Sequence, residues 1–122
     1  MLFNNFSGLH FYLCRQPTDM RKNFDGLSGV IESSLGANPL SGDVFIFINK
    51  RRDRIKLLLW DRDGFWLFYK RLEKGTFQLP TETSDSQSVE LNYDALWMIL
   101  TGIDLGSIKR RPRFSLLRAA TL

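Results

Sequence analysis

The sequence predicts an α+β domain: an antiparallel β-meander of about five strands, one amphipathic helix after the first strand and a short second helix near the C-terminus. Three observations carry that expectation. Apolar residues recur at helical spacing between Met20 and Leu35, four short apolar and aromatic runs separated by tight polar turns follow between Asp43 and Pro80, and "NYDALWMILTG" carries helix signals at both ends.

"GLHFYLCR" (Gly8 to Arg15) reads as the first strand, closed by the turn-like "QPTD". From Thr18 the period changes. Met20, Phe24, Leu27, Ile31 and Leu35 lie on one helix face, with Thr18 placed to cap it, Asp19 in its first turn, Gly36 at its end and Pro39 beyond. Gly26 and Gly29 inside this helix cost about 1 kcal/mol each relative to Ala, which predicts a close approach to that face. The next four strands are expected over Asp43 to Asn49, Arg54 to Trp60, Phe65 to Arg71 and Thr76 to Pro80, joined by "KRRD", "DRDG" and "LEKG", which are short enough for hairpins. "TETSDSQS" is polar and aperiodic and reads as a loop. The second helix should run from Tyr93 to about Thr101, capped by Asn92, stapled by Leu91 and Leu96 and ended by a left-handed Gly102. Its broad apolar stripe, which includes Trp97, suits either a core or a partner.

The chain has 122 residues, 43% apolar and 25% charged, the profile of a single globular domain. No apolar run approaches the roughly 20 residues needed to span a bilayer, and the first residues lack the layout of an export signal, so no membrane association is expected. The single Cys14 and single His10 read as packed residues of a reduced compartment, and they exclude a Cys/His zinc cluster. Asp61 and Asp63 have no third ligand at calcium-loop spacing and read as turn residues. There is no serine-nucleophile elbow, phosphate loop or dinucleotide fingerprint, and hence no expected catalytic residue, metal or cofactor.

The charge is unevenly placed. Residues 1–104 hold 12 Lys and Arg against 13 Asp and Glu, whereas residues 105–122 hold Lys109, Arg110, Arg111, Arg113 and Arg118 with no acid. That division marks a balanced domain over 1–104 followed by a basic tail, a pattern of nucleic-acid contact that also occurs in simply solvated ends.

The hairpin "LLLWDRDGFWLFYKR" poses the main question of surface. A three-residue loop, Arg62-Asp63-Gly64, with Gly64 left-handed would set Trp60 opposite Trp66, Leu58 opposite Phe68 and Lys56 opposite Lys70. One face would then interleave Arg54, Lys56, Leu58, Trp60, Trp66, Phe68 and Lys70, while Ile55, Leu57, Leu59, Phe65, Leu67 and Tyr69 would form the core face. The mixed face could stack bases and neutralise phosphates, or it could lie under the second helix with its cations around the rim; the covered arrangement is preferred because an apolar sheet has to hide both faces.

"FYLCRQPTDMRKNFDGLSGVI", the string "NPLSGDVFIFINKRRDRIKLLLWDRDGFWLFYKRLEKGTFQLP" and the helix "LNYDALWMILTGID" together resemble the TnpB-type accessory proteins encoded by bacterial transposons of the insertion sequence 66 family. The resemblance spans residues 11–104. It implies an accessory factor of transposition in a bacterial cytoplasm, acting beside the transposase of the same element, and brings no catalytic or DNA-contacting residue to carry over. The leading expectation is a non-enzymatic factor that helps assemble transposase and transposon ends, through contact with transposon-end DNA, with the transposase or with both. Candidate phosphate contacts are Arg51, Arg52, Arg54, Lys70, Arg71 and Lys74 around the hairpins and Lys109, Arg110, Arg111 and Arg113 in the tail. Candidate partner contacts are Trp60, Trp66, Phe68 and Trp97. A protein-interaction module without DNA affinity is the second reading, a nuclease ranks last, and self-association is left open.

Overall fold

The computed structural model describes residues 8–80 and 86–102. Within them lie β1 (Phe11–Cys14), α1 (Phe24–Ser33), β2 (Val44–Ile48), β3 (Arg54–Asp61), β4 (Gly64–Arg71), β5 (Ser88–Leu91) and α2 (Tyr93–Thr101). The strands form one sheet in the order β4-β3-β2-β1-β5. β1 and β2 run parallel, Phe11 opposite Val44 and Leu13 opposite Ile46, and every other neighbouring pair is antiparallel.

The sheet is therefore mixed, which corrects the expected all-antiparallel meander. The connection between β1 and β2 contains α1, and a crossover of that length is what a parallel pair requires. The fifth strand also differs. Thr76 to Pro80 is not a strand; it packs on the core through Phe77, which is fully buried, while Ser88–Leu91 pairs with β1 at the far edge. Of the expected loop "TETSDSQS", residues 81–85 lie outside the described residues and Ser88 opens β5.

Strand alternation sends side chains to two cores. On one face Phe11, Leu13, Ile46, Ile55 and Leu59 meet Leu96 and Ile99 of α2. On the other, Cys14, Phe45, Phe47 and Leu58 meet Leu27 and Ile31 of α1. β2, buried at all five positions, is the two-sided centre of the sheet, and each of its large apolar side chains contributes about 1.5–3 kcal/mol by burial.

α1 is shorter than its apolar spacing predicts. Residues 18–23 form a turn in which Asp19 accepts from the Arg21 and Lys22 backbone N–H groups, and Thr18 donates its N–H to Ile48 instead of capping a helix. The carbonyls of Met20 and Lys22 are taken by the Lys56 ammonium, which removes them from any helical ladder. Gly36 is left-handed beyond the helix end, as expected. The close approach inferred from two glycines is not found: a Cβ on Gly29 would meet nothing within 4 Å, and one on Gly26 would meet only the side chain of Lys22 at 3.1 Å. α2 agrees with its sequence signals, since the Asn92 carboxamide accepts from the Ala95 N–H and Gly102 is left-handed at φ 84°. Leu91 and Leu96 share one core, as a hydrophobic staple requires.

The central hairpin is shifted by one residue from the expected register. Trp60 faces Phe65, Leu59 faces Trp66, Leu58 faces Leu67 and Lys56 faces Tyr69. The loop is only Arg62-Asp63, with Arg62 at φ 60° and the Asp63 N–H donating to the Asp61 carbonyl across a γ-turn. Gly64 is an ordinary strand residue paired with Asp61. Because strand side chains alternate, the shift exchanges the two faces of β4: Phe65, Leu67 and Tyr69 join Lys56 and Leu58, while Trp66, Phe68 and Lys70 move to the α2 side. Cys14 is buried and free as expected; His10 is not packed but exposed, paired with Glu90 across β1 and β5.

Candidate nucleic-acid interface

A basic end of the sheet is built around Asn49. Its carboxamide oxygen accepts from the N–H groups of Asp53 and Arg54, both at 3.0 Å, and its amide nitrogen donates to the Asp53 carboxylate at 2.6 Å. This cage closes the turn between β2 and β3 with Arg52 left-handed at φ 61°, a conformation that costs a non-glycine residue of order 1 kcal/mol or more. Lys50, Arg51 and Arg52 are thereby held exposed at the tip. The chain leaving β4 lies against the same turn: Leu72 donates to the Asp53 carbonyl and Phe77 to that of Arg52, both at 2.7 Å, and Lys74 is exposed between them.

At the adjoining end of the strands, Arg54 stands directly opposite Arg71. Like charges in that position repel. Arg54 instead donates to the Tyr69 hydroxyl at 3.2 Å, and Arg71 reaches along its own strand end to Glu73 at 2.8 Å. A groove of about 510 Å³ runs beside them between the turn carrying Thr18 to Met20 and the turn carrying Asn49 to Arg54. Two acids line it: Asp53 is held by the Asn49 amide, and Asp19 is clamped by the Arg21 side chain and by the Arg21 N–H, which hold its carboxyl pKa down to about 2. Lys56, 2% exposed, donates from its ammonium to the carbonyls of Met20 and Lys22 at 2.8 and 2.7 Å and to Asn23 Oδ1 at 2.9 Å, and that ammonium stands 4.6 Å from the centre of the Tyr69 ring. Three satisfied donors explain how a lysine stays inside the fold.

The fold thus brings together Arg51, Arg52, Arg54, Arg71 and Lys74. Lys70 is separated from them, on the α2 side, where its ammonium donates to the Leu100 carbonyl at 3.1 Å. Lys109, Arg110, Arg111 and Arg113 lie outside the described residues, as does the expected domain boundary at residue 104. Among the aromatic candidates, Trp66 and Phe68 stack at 6.2 Å, and Phe68 and Trp97 line an apolar groove of about 440 Å³ between α2 and strands β3 and β4. Trp60 is on the opposite face, edge-on to Phe65 at 5.1 Å. Sequence reasoning missed Tyr69 and Asn49. Tyr69 was hidden by the register shift, whereas Asn49 followed four residues later by an Asp was a legible turn signal.

Among the described residues, no three His, Cys, Asp or Glu side chains are grouped to hold a metal, and no helix is long and apolar enough to cross a membrane. A family model described as IS66 Orf2 like protein matches residues 9–110. The chain belongs to that family. The IS66 Orf2-like proteins are accessory proteins of transposition, so the basic end and the apolar groove are features of a mobile-element protein. Two relatives come from Sinorhizobium fredii (strain NBRC 101917 / NGR234). Uncharacterized protein y4jC is 33% identical over 105 residues, 86% of this chain and 88% of its own length. Uncharacterized protein y4hO is 33% identical over 87 residues, 71% of this chain and 74% of its own length. No solved structure matches the chain significantly.

Proposed function

We propose that this IS66 Orf2-like protein is a non-enzymatic transposition factor of the bacterial cytoplasm that holds transposon-end DNA by its phosphates while acting beside the transposase. The observation that carries the reading is the gathering of Arg51, Arg52, Arg54, Arg71 and Lys74 at one end of the sheet, with Arg54 and Arg71 directly opposed. Arginines at opposed strand positions repel in the free protein and gain when an anion binds beside them. Lys109, Arg110, Arg111 and Arg113 would add tail contacts, and all of these bind backbone rather than read bases.

Titration of duplex transposon ends and of a scrambled duplex at several salt concentrations tests this. Log affinity should fall with log salt at a slope of about −0.9 per phosphate contact, and replacing Arg51, Arg52, Arg54 and Arg71 by Ala should flatten it. Absence of binding at low salt overturns the reading.

A second reading, docking on the transposase without DNA affinity, is favoured by the apolar groove with Trp97 54% and Trp66 45% exposed at its margin. Aromatic anchors beside an apolar groove are the usual centres of protein interfaces. Calorimetric titration with the transposase of the same element, repeated with Trp97→Ala, measures it; equal affinity of both forms removes the groove from the interface.

A further inference from the structure

Tyr69 lies on β4, an edge strand, and keeps 51% of its surface exposed although its ring is held in place from two sides. The Lys56 ammonium stands 4.6 Å from the ring centre, and that ammonium is itself fixed by three hydrogen bonds to the turn before α1. The hydroxyl accepts from Arg54. A surface aromatic normally loses rotamer freedom when it binds something; here much of that ordering has occurred in advance. Tyr69 also lines a hollow of about 160 Å³ together with Arg54 and Arg71, so an aromatic side chain and two arginines border one small space.

Each part of this arrangement matches one part of a nucleotide. The guanidinium groups suit a phosphate, and Glu73, which holds Arg71 in an exposed pair, is a partner that a phosphate can replace. The ring suits the π-face of a base, which a duplex keeps inside its own stack and only an unpaired nucleotide presents. We propose that Arg54, Tyr69 and Arg71 form a subsite for an unpaired nucleotide, so that the basic end prefers single-stranded DNA to duplex. The subsite rests on the phosphate-binding reading above and adds to it the state of the DNA that is held.

The test uses the full chain, a short single strand carrying 2-aminopurine, and the duplex of the same sequence, compared at one salt concentration. The single strand should bind about 10-fold or more tighter than the duplex, with quenching of 2-aminopurine as it stacks. Tyr69→Leu, which keeps an apolar side chain over Lys56, should weaken the single strand by about 5- to 150-fold and leave the duplex unchanged. Tyr69→Trp should retain single-strand binding, and Tyr69→Phe should lose little. Circular dichroism and urea midpoints establish that each variant is folded, and a folded Tyr69→Trp that no longer binds the strand overturns the subsite. Tighter binding of duplex, or equal losses on both DNAs in Tyr69→Leu, overturns the subsite and leaves phosphate binding standing. If neither DNA binds at low salt, both proposals fall.

Discussion

Lys56 donates a 2.9 Å hydrogen bond from its ammonium to the carboxamide of Asn23, joining the middle of β3 to the residue before α1. None of the three acceptors around that ammonium is charged, and the positive end of the α1 dipole opposes it. The lysine is held by geometry, through three donors matched to three acceptors inside the fold. Replacing it with Met keeps the chain length and strands the acceptors. Lys56→Met should therefore lose about 2–4 kcal/mol of stability, read as a lower urea midpoint. An unchanged midpoint would mean that water satisfies these groups as well as the ammonium does.

Gly29 offers the opposite change. It is exposed inside α1, its φ is not positive, and a Cβ there meets nothing within 4 Å. Gly29→Ala should raise stability by about 0.5–1 kcal/mol by reducing the freedom of the unfolded chain. Gly26→Ala should gain less, because its Cβ would press on Lys22 at 3.1 Å. Thermal denaturation of the two variants side by side distinguishes them.

His10 reports on the pairing of β1 with β5. Its Nδ1 lies 2.9 Å from Glu90, and that hydrogen bond, then the Glu90 charge and more weakly the charge of Asp43, raise its pKa above the ordinary value. A raised folded pKa means that the histidinium form gains from folding: the contribution is complete below the unfolded pKa of about 6.5 and is lost as pH rises through the folded one. As the chain has one histidine, proton NMR of its ring gives the titration directly. The midpoint should exceed 6.5 by a measurable margin and return toward it in Glu90→Gln.

Asn92 tests the helix that walls the apolar groove. Its side chain satisfies the Ala95 N–H at 2.7 Å, so Asn92→Ala should cost about 1 kcal/mol, whereas Asn92→Asp or Asn92→Ser should cost much less. Denaturant midpoints of the three variants measure this. Equal losses in all three would assign the effect to something other than the cap.

The second helix was legible from sequence because its signals are local: a capping amide, a 3.6-residue period and a glycine for the left-handed end all act within a few residues. The start of α1 was not legible in the same way. Thr18 to Asn23 has an acceptable helical pattern, yet Lys56, more than thirty residues away, claims the carbonyls of Met20 and Lys22. The candidate site divides along the same line. Arg51, Arg52, Arg54, Arg71 and Lys74 could be named from their places around turns, but the separation of Lys70 and the pairing of Tyr69 with Lys56 depend on which residue faces which.

The sequence alone determined the α+β class, the places of four of the five strands, the second helix with its caps and the family. These follow from apolar periodicity, turn chemistry and motif, which neighbouring residues carry among themselves. Only the tertiary structure decided the parallel pairing of β1 with β2, the edge position of β5, the burial of Lys56 and the register that puts Trp60 and Trp66 on opposite faces. A strand repeats every two residues, so a shift of one preserves its composition and turn while reversing every side chain. Burial against two helices settles that choice, and with it which aromatic ring lies beside the arginines.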